Sequence, residues 1–274
     1  MSSPSGVARG ERGHGGSRER ERDEMASTSA RVVKTTVVFK GPGIQVNGLE
    51  AVPEGLWLSD QQNNKTYLVD YNGKVLTEFL SPARNASGTS FGAGSVWVAS
   101  NVRPSMIYRH DPRTGQCTAG LHLPNADTGG VHGIQWRPYG PNDTVPAGPE
   151  AKAELHPTAP GGKLNAGPGV SGTLWVTRPG AKVIDHIDAE TGELLGQIPF
   201  PDPRSHGCYW NEADGTLSVA ETNHGNIYTL DPENGEVLDV FRIEGIEVHG
   251  LTKSADGRIW VGDAATNLVS VVEP

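Results

Sequence analysis

Short apolar stretches, each closed off by Gly, Asn, Asp or Pro, recur along the chain from residue 44 to its end. Leu56-Trp57-Leu58, Val96-Trp97-Val98, Leu174-Trp175-Val176 and Ile259-Trp260-Val261 read as strands buried on one or both faces and are too short for helices. Each lies in a larger unit. A lead residue (Asn47, Ser87, His132, His206 or His249), always followed by Gly, opens a first strand, and the second strand is the one just named or its counterpart Leu217-Ser218-Val219. A third segment follows, such as Tyr67-Leu68-Val69 or Ile227-Tyr228-Thr229-Leu230, then a turn such as Asn72-Gly73 or Asp231-Pro232-Glu233-Asn234-Gly235, then a fourth strand such as Val237 to Ile243. Four short strands recurring at roughly 40 to 45 residues are the pattern of propeller blades. The five lead positions therefore predict an all-β, five-bladed β-propeller of four-stranded blades.

The last copy ends after Leu268-Val269-Ser270-Val271-Val272 and lacks its fourth strand. Arg31 to Phe39, rich in Val and Thr, is predicted to supply it and so to close the ring without a free sheet edge. Residues 31–274 are then a single propeller. Residues 1–30 carry dense mixed charge, as in Arg18-Glu19-Arg20-Glu21-Arg22-Asp23, with almost nothing to bury. They are expected to be disordered, or, if Met25 is the true start, to lie largely outside the protein. One blade is irregular: a Pro/Gly-rich insertion at about 138–172 separates its first and second strands and is expected to form a long loop or flap.

A net charge of −9 and the absence of a basic stripe argue against nucleic acid as a partner. No apolar run is long enough to span a membrane, and no secretory signal is present, so a cytoplasmic location is expected, with Cys117 and Cys208 as free thiols. The expected partner is a small-molecule substrate; the oligomeric state is left open.

Antiparallel pairing returns the end of each second strand to the face where the first strand began. The lead residues should therefore share one channel rim with Asp60, Arg178, Glu221 and Asp263. Asn47, Ser87, Asp60 and Arg178 are the candidate substrate-binding residues. His132, His206 and His249 would present three imidazoles from consecutive blades to one divalent metal ion (Zn, Fe, Mn, Cu or Mg), with Glu221 or Asp263 as a further ligand or a general base. The competing reading is structural: a His before Gly at an inner edge also serves by fixing a neighbouring loop. His110, His122, His186 and His224 are expected in ordinary surface or turn positions.

The segments His206 to Glu221 and Val248 to Asp263 resemble the repeats of the virginiamycin B (streptogramin) lyase group and of the SMP-30/gluconolactonase group. The lyase resemblance lies in Glu247-Val248-His249 and Asp263. It implies elimination with His249 as base, Glu247 and Asp263 placing metal or substrate, and Mg²⁺ as cofactor. The lactonase resemblance, carried by Asn47-Gly48, implies a divalent metal and hydrolysis. Both groups have six or seven blades, and this chain departs from them in placing His before Gly in three blades. The expectation is a metal-dependent, lyase-like enzyme at the channel rim, with a metal-dependent lactonase or esterase, or a non-catalytic ligand- or protein-binding propeller, as alternatives.

Overall fold

In the computed structural model, which describes residues 30–123, 126, 129–140, 143 and 171–274, the described residues form five antiparallel sheets. The chain enters through β1 (Arg31–Val33) and β2 (Thr35–Lys40). It then lays down the first blade, β3 (Val46–Val52), β4 (Gly55–Asp60), β5 (Lys65–Val69) and β6 (Val75–Leu80). The second blade is β7 (Ala86–Gly92), β8 (Ser95–Ser100), β9 (Met106–His110) and β10 (Cys117–His122). The third is β11 (Ile134–Arg137), β12 (Thr173–Arg178), β13 (Val183–Asp188) and β14 (Leu194–Pro199). The fourth is β15 (Ser205–Asn211), β16 (Thr216–Glu221), β17 (Asn226–Leu230) and β18 (Val237–Ile243). The fifth is β19 (Val248–Lys253), β20 (Ile259–Asp263) and β21 (Leu268–Val272), with β2 as its outer strand.

The segment expected as one closing strand is thus two. Thr35 to Lys40 pairs antiparallel with Leu268 to Val272, whereas Arg31 to Val33 runs beside β18 as a fifth strand of the fourth blade. The interruption at Lys34 lets one entering chain cover the outer edges of two neighbouring blades. The expectation for residues 1–29 and for most of the 138–172 insertion lies outside the described residues.

The core is divided among the contacts between blades. Trp57 and Tyr108 join the first two blades, and Trp97 and Leu174 the second and third. Trp175 and Leu217 join the third and fourth, Tyr209 and Leu251 the fourth and fifth, and Trp260 and Leu56 the fifth and first. The Trp expected in the second strand is therefore what fills the wedge between blades. Two of these indoles donate to nearby oxygens, Trp97 Nε1 to the Gly92 carbonyl at 3.1 Å and Trp260 Nε1 to Ser254 Oγ at 3.0 Å.

One core position breaks the pattern. Val69, Ile187 and Leu230 stand opposite the second residue of their second strands as buried apolar residues, and His110 occupies the same place in the second blade with 0% exposure. It stacks on Phe79 at 4.8 Å, and its ring nitrogens make no hydrogen bond of good geometry, only weak contacts with the Val96 and Tyr108 backbone. Burial lowers its pKa to about 4. The surface or turn position expected for His110 is therefore corrected, as is that of His186, which is buried against Trp175 at 4.2 Å. A buried polar atom left unpaired costs about 1–3 kcal/mol. His110→Leu is accordingly expected to stabilise the protein by about that amount, read as a raised denaturant midpoint at unchanged slope.

Candidate functional site: the channel rim

The inner strands come together through their lead Gly-containing pairs. A Cβ at Gly48, Gly88, Gly133 or Gly207 would meet backbone of the next inner strand closer than 3.0 Å, and one at Gly250 would meet Leu49 at 2.6 Å. Two hydroxyls stitch this contact. Ser59 Oγ accepts from Gly48 N–H at 3.1 Å and donates to the Ser87 carbonyl. Thr177 Oγ1 accepts from Gly133 N–H at 2.6 Å and donates to the His206 carbonyl at 3.0 Å.

Pairing slips by one residue at the same place, between Val46 and Gly48, Ala86 and Thr89, Ser205 and Cys208, and Val248 and Gly250. Such a bulge re-aims the side chain at the slip. The outcome is a ring of lead side chains in two contact groups. Ser87 Oγ donates to Asn47 Oδ1 at 3.1 Å. His132 Nδ1 lies 2.9 Å from His206 Nε2, and the His206 and His249 rings lie 3.9 Å apart.

The protons on these rings follow from their partners. His206 Nδ1 is 3.2 Å from the Arg204 carbonyl, which only accepts, so His206 carries its proton on Nδ1 and its Nε2 accepts from His132 Nδ1–H. His249 Nε2 donates to Glu247 Oε1 at 3.1 Å, which leaves the Nδ1 lone pair unused; Nδ1 is buried and without a partner. The same Glu247 oxygen accepts from Arg204 Nη2 at 3.0 Å. Burial lowers the pKa of all three imidazoles, that of His132 to about 4, and for His132 and His206 the neighbouring His249 adds to it. Burial also pushes Glu247 up, but its bonds to Arg204 and His249 outweigh this and hold it low. Near neutral pH the rim thus holds neutral imidazoles beside an ionised Glu247–Arg204 pair.

The second-strand residues reach the same end of the blades, as Val46 opposite Asp60, Ser205 opposite Glu221 and Val248 opposite Asp263 show. Their charges are already used. Asp60 accepts from the backbone N–H groups of Ile44, Gln45, Gln62 and Asn63. Glu221 accepts from Asn223 and His224, and Asp263 from Glu247, Ala265 and the Thr266 hydroxyl. Arg178 pairs with Asp185 at 2.9 Å. These groups cap turns or brace their own blade, whereas His132, His206, His249, Asn47 and Ser87 contact one another or Glu247 at the rim.

The metal expected on the three imidazoles is not matched by this arrangement. Three lone pairs would have to converge, yet that of His206 Nε2 accepts from His132, and His249 turns Nε2 to Glu247. Among the described residues no group of three or more His, Cys, Asp or Glu side chains is placed to hold a metal ion. Mg²⁺ in particular calls for oxygen ligands, and the rim carboxylates best sited to give them are occupied by turn amides.

A second polar layer lies deeper and was not expected. Glu50 is buried, and its carboxyl accepts from Gln135 Nε2 at 3.3 Å and from Thr252 Oγ1 at 3.4 Å, while Gln135 also reaches Ser90 Oγ at 3.4 Å. These residues come from four different blades. The signal was present in the sequence: each stands three residues after its lead residue, where plain strand alternation would have pointed to the second. The bulge supplies the extra step.

No family model and no curated protein matches this sequence. Among solved structures it is similar to the glutaminyl cyclase of Myxococcus xanthus, with a TM-score of 0.62 and 11% identity over 89% of this chain and 98% of that one. It is also similar to the WD40 β-propeller domain of Doa1, with a TM-score of 0.50 and 13% identity over 89% and 93%. Virginiamycin B lyase from Staphylococcus aureus aligns with a TM-score of 0.46 and 18% identity over 86% and 68%. What this chain shares with the first two is the propeller fold. Enzymes and a WD40 domain use it alike, so function must be argued from the rim itself. Among the described residues no helix is long and apolar enough to cross a membrane.

Glu50 makes a pH test of the channel. Burial raises its pKa from 4.5 to about 8, against smaller opposing effects of its hydrogen bonds. The unfolded chain releases this proton near 4.5 and the folded chain holds it to about 8, so the stability it lends is full below 4.5 and is lost as pH rises across that window. Glu50→Gln should melt close to the parent at pH 4.5 and progressively above it up to pH 8. Thermal melts of both proteins across the window measure the difference, and a constant offset would exclude a buried, neutral Glu50.

Proposed function

We propose that this propeller is a small-molecule enzyme of lyase type that uses His249 as general base at the channel rim. The observation that carries the reading is the Glu247–His249 pair. A carboxylate fixes the Nε2–H tautomer and leaves a buried, unpartnered Nδ1 lone pair facing the ring of lead residues. Burial keeps the imidazole neutral, the form in which it accepts a proton. Glu247 then stabilises the imidazolium that forms, and Arg204 holds Glu247 in place and offers positive charge to an anionic part of the substrate.

The step consistent with these groups is elimination. His249 removes a proton from the carbon beside a substrate carbonyl; that electron pair forms a double bond to the next carbon, the bond from that next carbon to an acyl oxygen breaks, the acyl group leaves as a carboxylate, and the proton stays on His249. His206 and His132 form a hydrogen-bonded pair, and the His206 ring lies tilted against that of His249, covering part of its face. The hydroxyls of Ser87 and Thr222 are committed as donors, Ser87 to Asn47 and Thr222 to the Arg204 carbonyl. The imidazole set acts in this reading as a proton-handling stack rather than a metal cage.

A panel of cyclic and linear esters whose acyloxy group sits on the carbon β to a second carbonyl, followed by mass spectrometry in heavy-oxygen water, tests the reaction. Elimination leaves the products free of solvent oxygen, whereas label in the released acid would replace this reading with hydrolysis. His249→Gln should lower kcat by about 10²–10⁴-fold, the usual contribution of a positioned base. Glu247→Gln should lower kcat less and move the acid limb of the pH profile downward, since the carboxylate that favours protonated His249 is gone. Activity that survives His249→Gln within a few fold would remove His249 from the mechanism. Dialysis against a chelator is expected to leave the rate unchanged, and a loss restored by added Zn²⁺ or Mg²⁺ would reinstate a metal.

A further inference from the structure

The lead side chains form two contact groups around the channel. Contacts run His132 to His206 to His249 on one side and Asn47 to Ser87 on the other. The fifth blade nonetheless packs directly on the first, through Gly250 against Leu49 and Gly262 against Val46. His249 and Asn47 are the lead residues of these two blades, and each carries a buried polar atom without a partner, His249 Nδ1 and Asn47 Nδ2. Their side chains are otherwise committed. Ser87 Oγ–H occupies Asn47 Oδ1 at 3.1 Å and thereby turns the amide so that its N–H₂ end is the free one. Glu247 occupies His249 Nε2 and makes Nδ1 an acceptor. A donor and an acceptor, 2% and 6% exposed, are thus left side by side around the ring. Each costs stability unless something outside the chain completes it.

We propose that these two groups form a carbonyl subsite, in which Asn47 Nδ2 donates to a substrate carbonyl oxygen and His249 Nδ1 accepts from an N–H or C–H one atom away. The inference rests on the reading of His249 as base and adds to it a substrate class and a catalytic role for Asn47. The substrate is an amide or ester carrying an anionic group that Arg204 meets at the rim. Asn47 strengthens its bond as negative charge gathers on the carbonyl oxygen during proton removal. Ser87 is a positioning residue that acts through Asn47.

N-acetylglycine carries all three features, a carboxylate, an amide carbonyl and an N–H, while butyrate keeps the carboxylate and chain length but lacks the amide. Dissociation constants of both probes for the full chain, measured by NMR titration, test the subsite without any turnover. N-acetylglycine is expected to bind more tightly than butyrate. Asn47→Leu should weaken N-acetylglycine by about tenfold, the worth of one buried hydrogen bond, and change butyrate by less than twofold. If Asn47→Leu fails to fold, Asn47→Ala makes the same comparison. Ser87→Ala should give a smaller loss for N-acetylglycine alone. Equal binding of the two probes, no binding of either, or an unchanged N-acetylglycine constant in the Asn47 variants would overturn the proposal. A propeller that discriminates the probes through Asn47 yet opens no ester upholds the subsite and overturns only the reaction.

Discussion

Everything at the channel depends on how closely five inner strands approach one another. At each lead pair a Cβ would enter the next strand, so Gly at 48, 88, 133, 207 and 250 sets the distance between blades. The approach is close enough for Ser59 and Thr177 each to join a glycine N–H of one blade to a carbonyl of the next. Replacing any of these glycines would push two blades apart at the axis, and with them the side chains that face it. The residue before each Gly is therefore held in place by backbone contacts on both sides, before its own side chain makes any bond. That is why residues as different as Asn, Ser and His reach the same level in the channel.

The repeat made this legible. Lead residue, Trp-type second strand and turn return in register, and blade number, strand order and the shared rim all follow from that spacing. The Trp residues could be expected to be buried, but not that Trp57, Trp97, Trp175 and Trp260 would each join two blades, because a repeat shows what a blade contains and not what lies beside it. The second polar layer of Glu50, Ser90, Gln135 and Thr252 was hidden for a different reason. Strict alternation predicts inward residues two apart, and the one-residue slip at the lead position turns that count into three. His110 escaped because a single polar residue at an apolar repeat position looks like a surface exception until the neighbouring blade is packed on it.

Carboxylates illustrate how position within a hairpin decides chemistry. Asp60, Glu221 and Asp263 stand at the last residue of a second strand, immediately before a turn, and each spends its oxygens on amide or hydroxyl groups two and three residues ahead. Asp70, Asp111 and Asp231 do the same after their third strands. A turn-capping carboxylate is a poor base, since protonating it would forfeit several hydrogen bonds at once. Glu247 differs because it precedes a strand instead of a turn. It caps no turn, so its charge is available to the imidazole of His249 two residues on and to the guanidinium of Arg204 from ahead of the fourth blade.

This asymmetry bears on the choice between metal and proton chemistry at the rim. Three imidazoles in neighbouring blades invite a metal, but each ring's tautomer is dictated by a different partner, a backbone carbonyl for His206, another imidazole for His132 and a carboxylate for His249. Separate partners give the rings separate orientations, as the 80° and 33° angles between neighbouring ring planes show. A metal cage needs the opposite, with all lone pairs converging. The arrangement leaves a buried, unpartnered basic atom on His249, beside Glu247, which caps no turn, and an unused Asn47 donor at the lead position of the adjoining blade. A buried base and a buried donor that the fold leaves unpaired together are what a carbonyl substrate would complete.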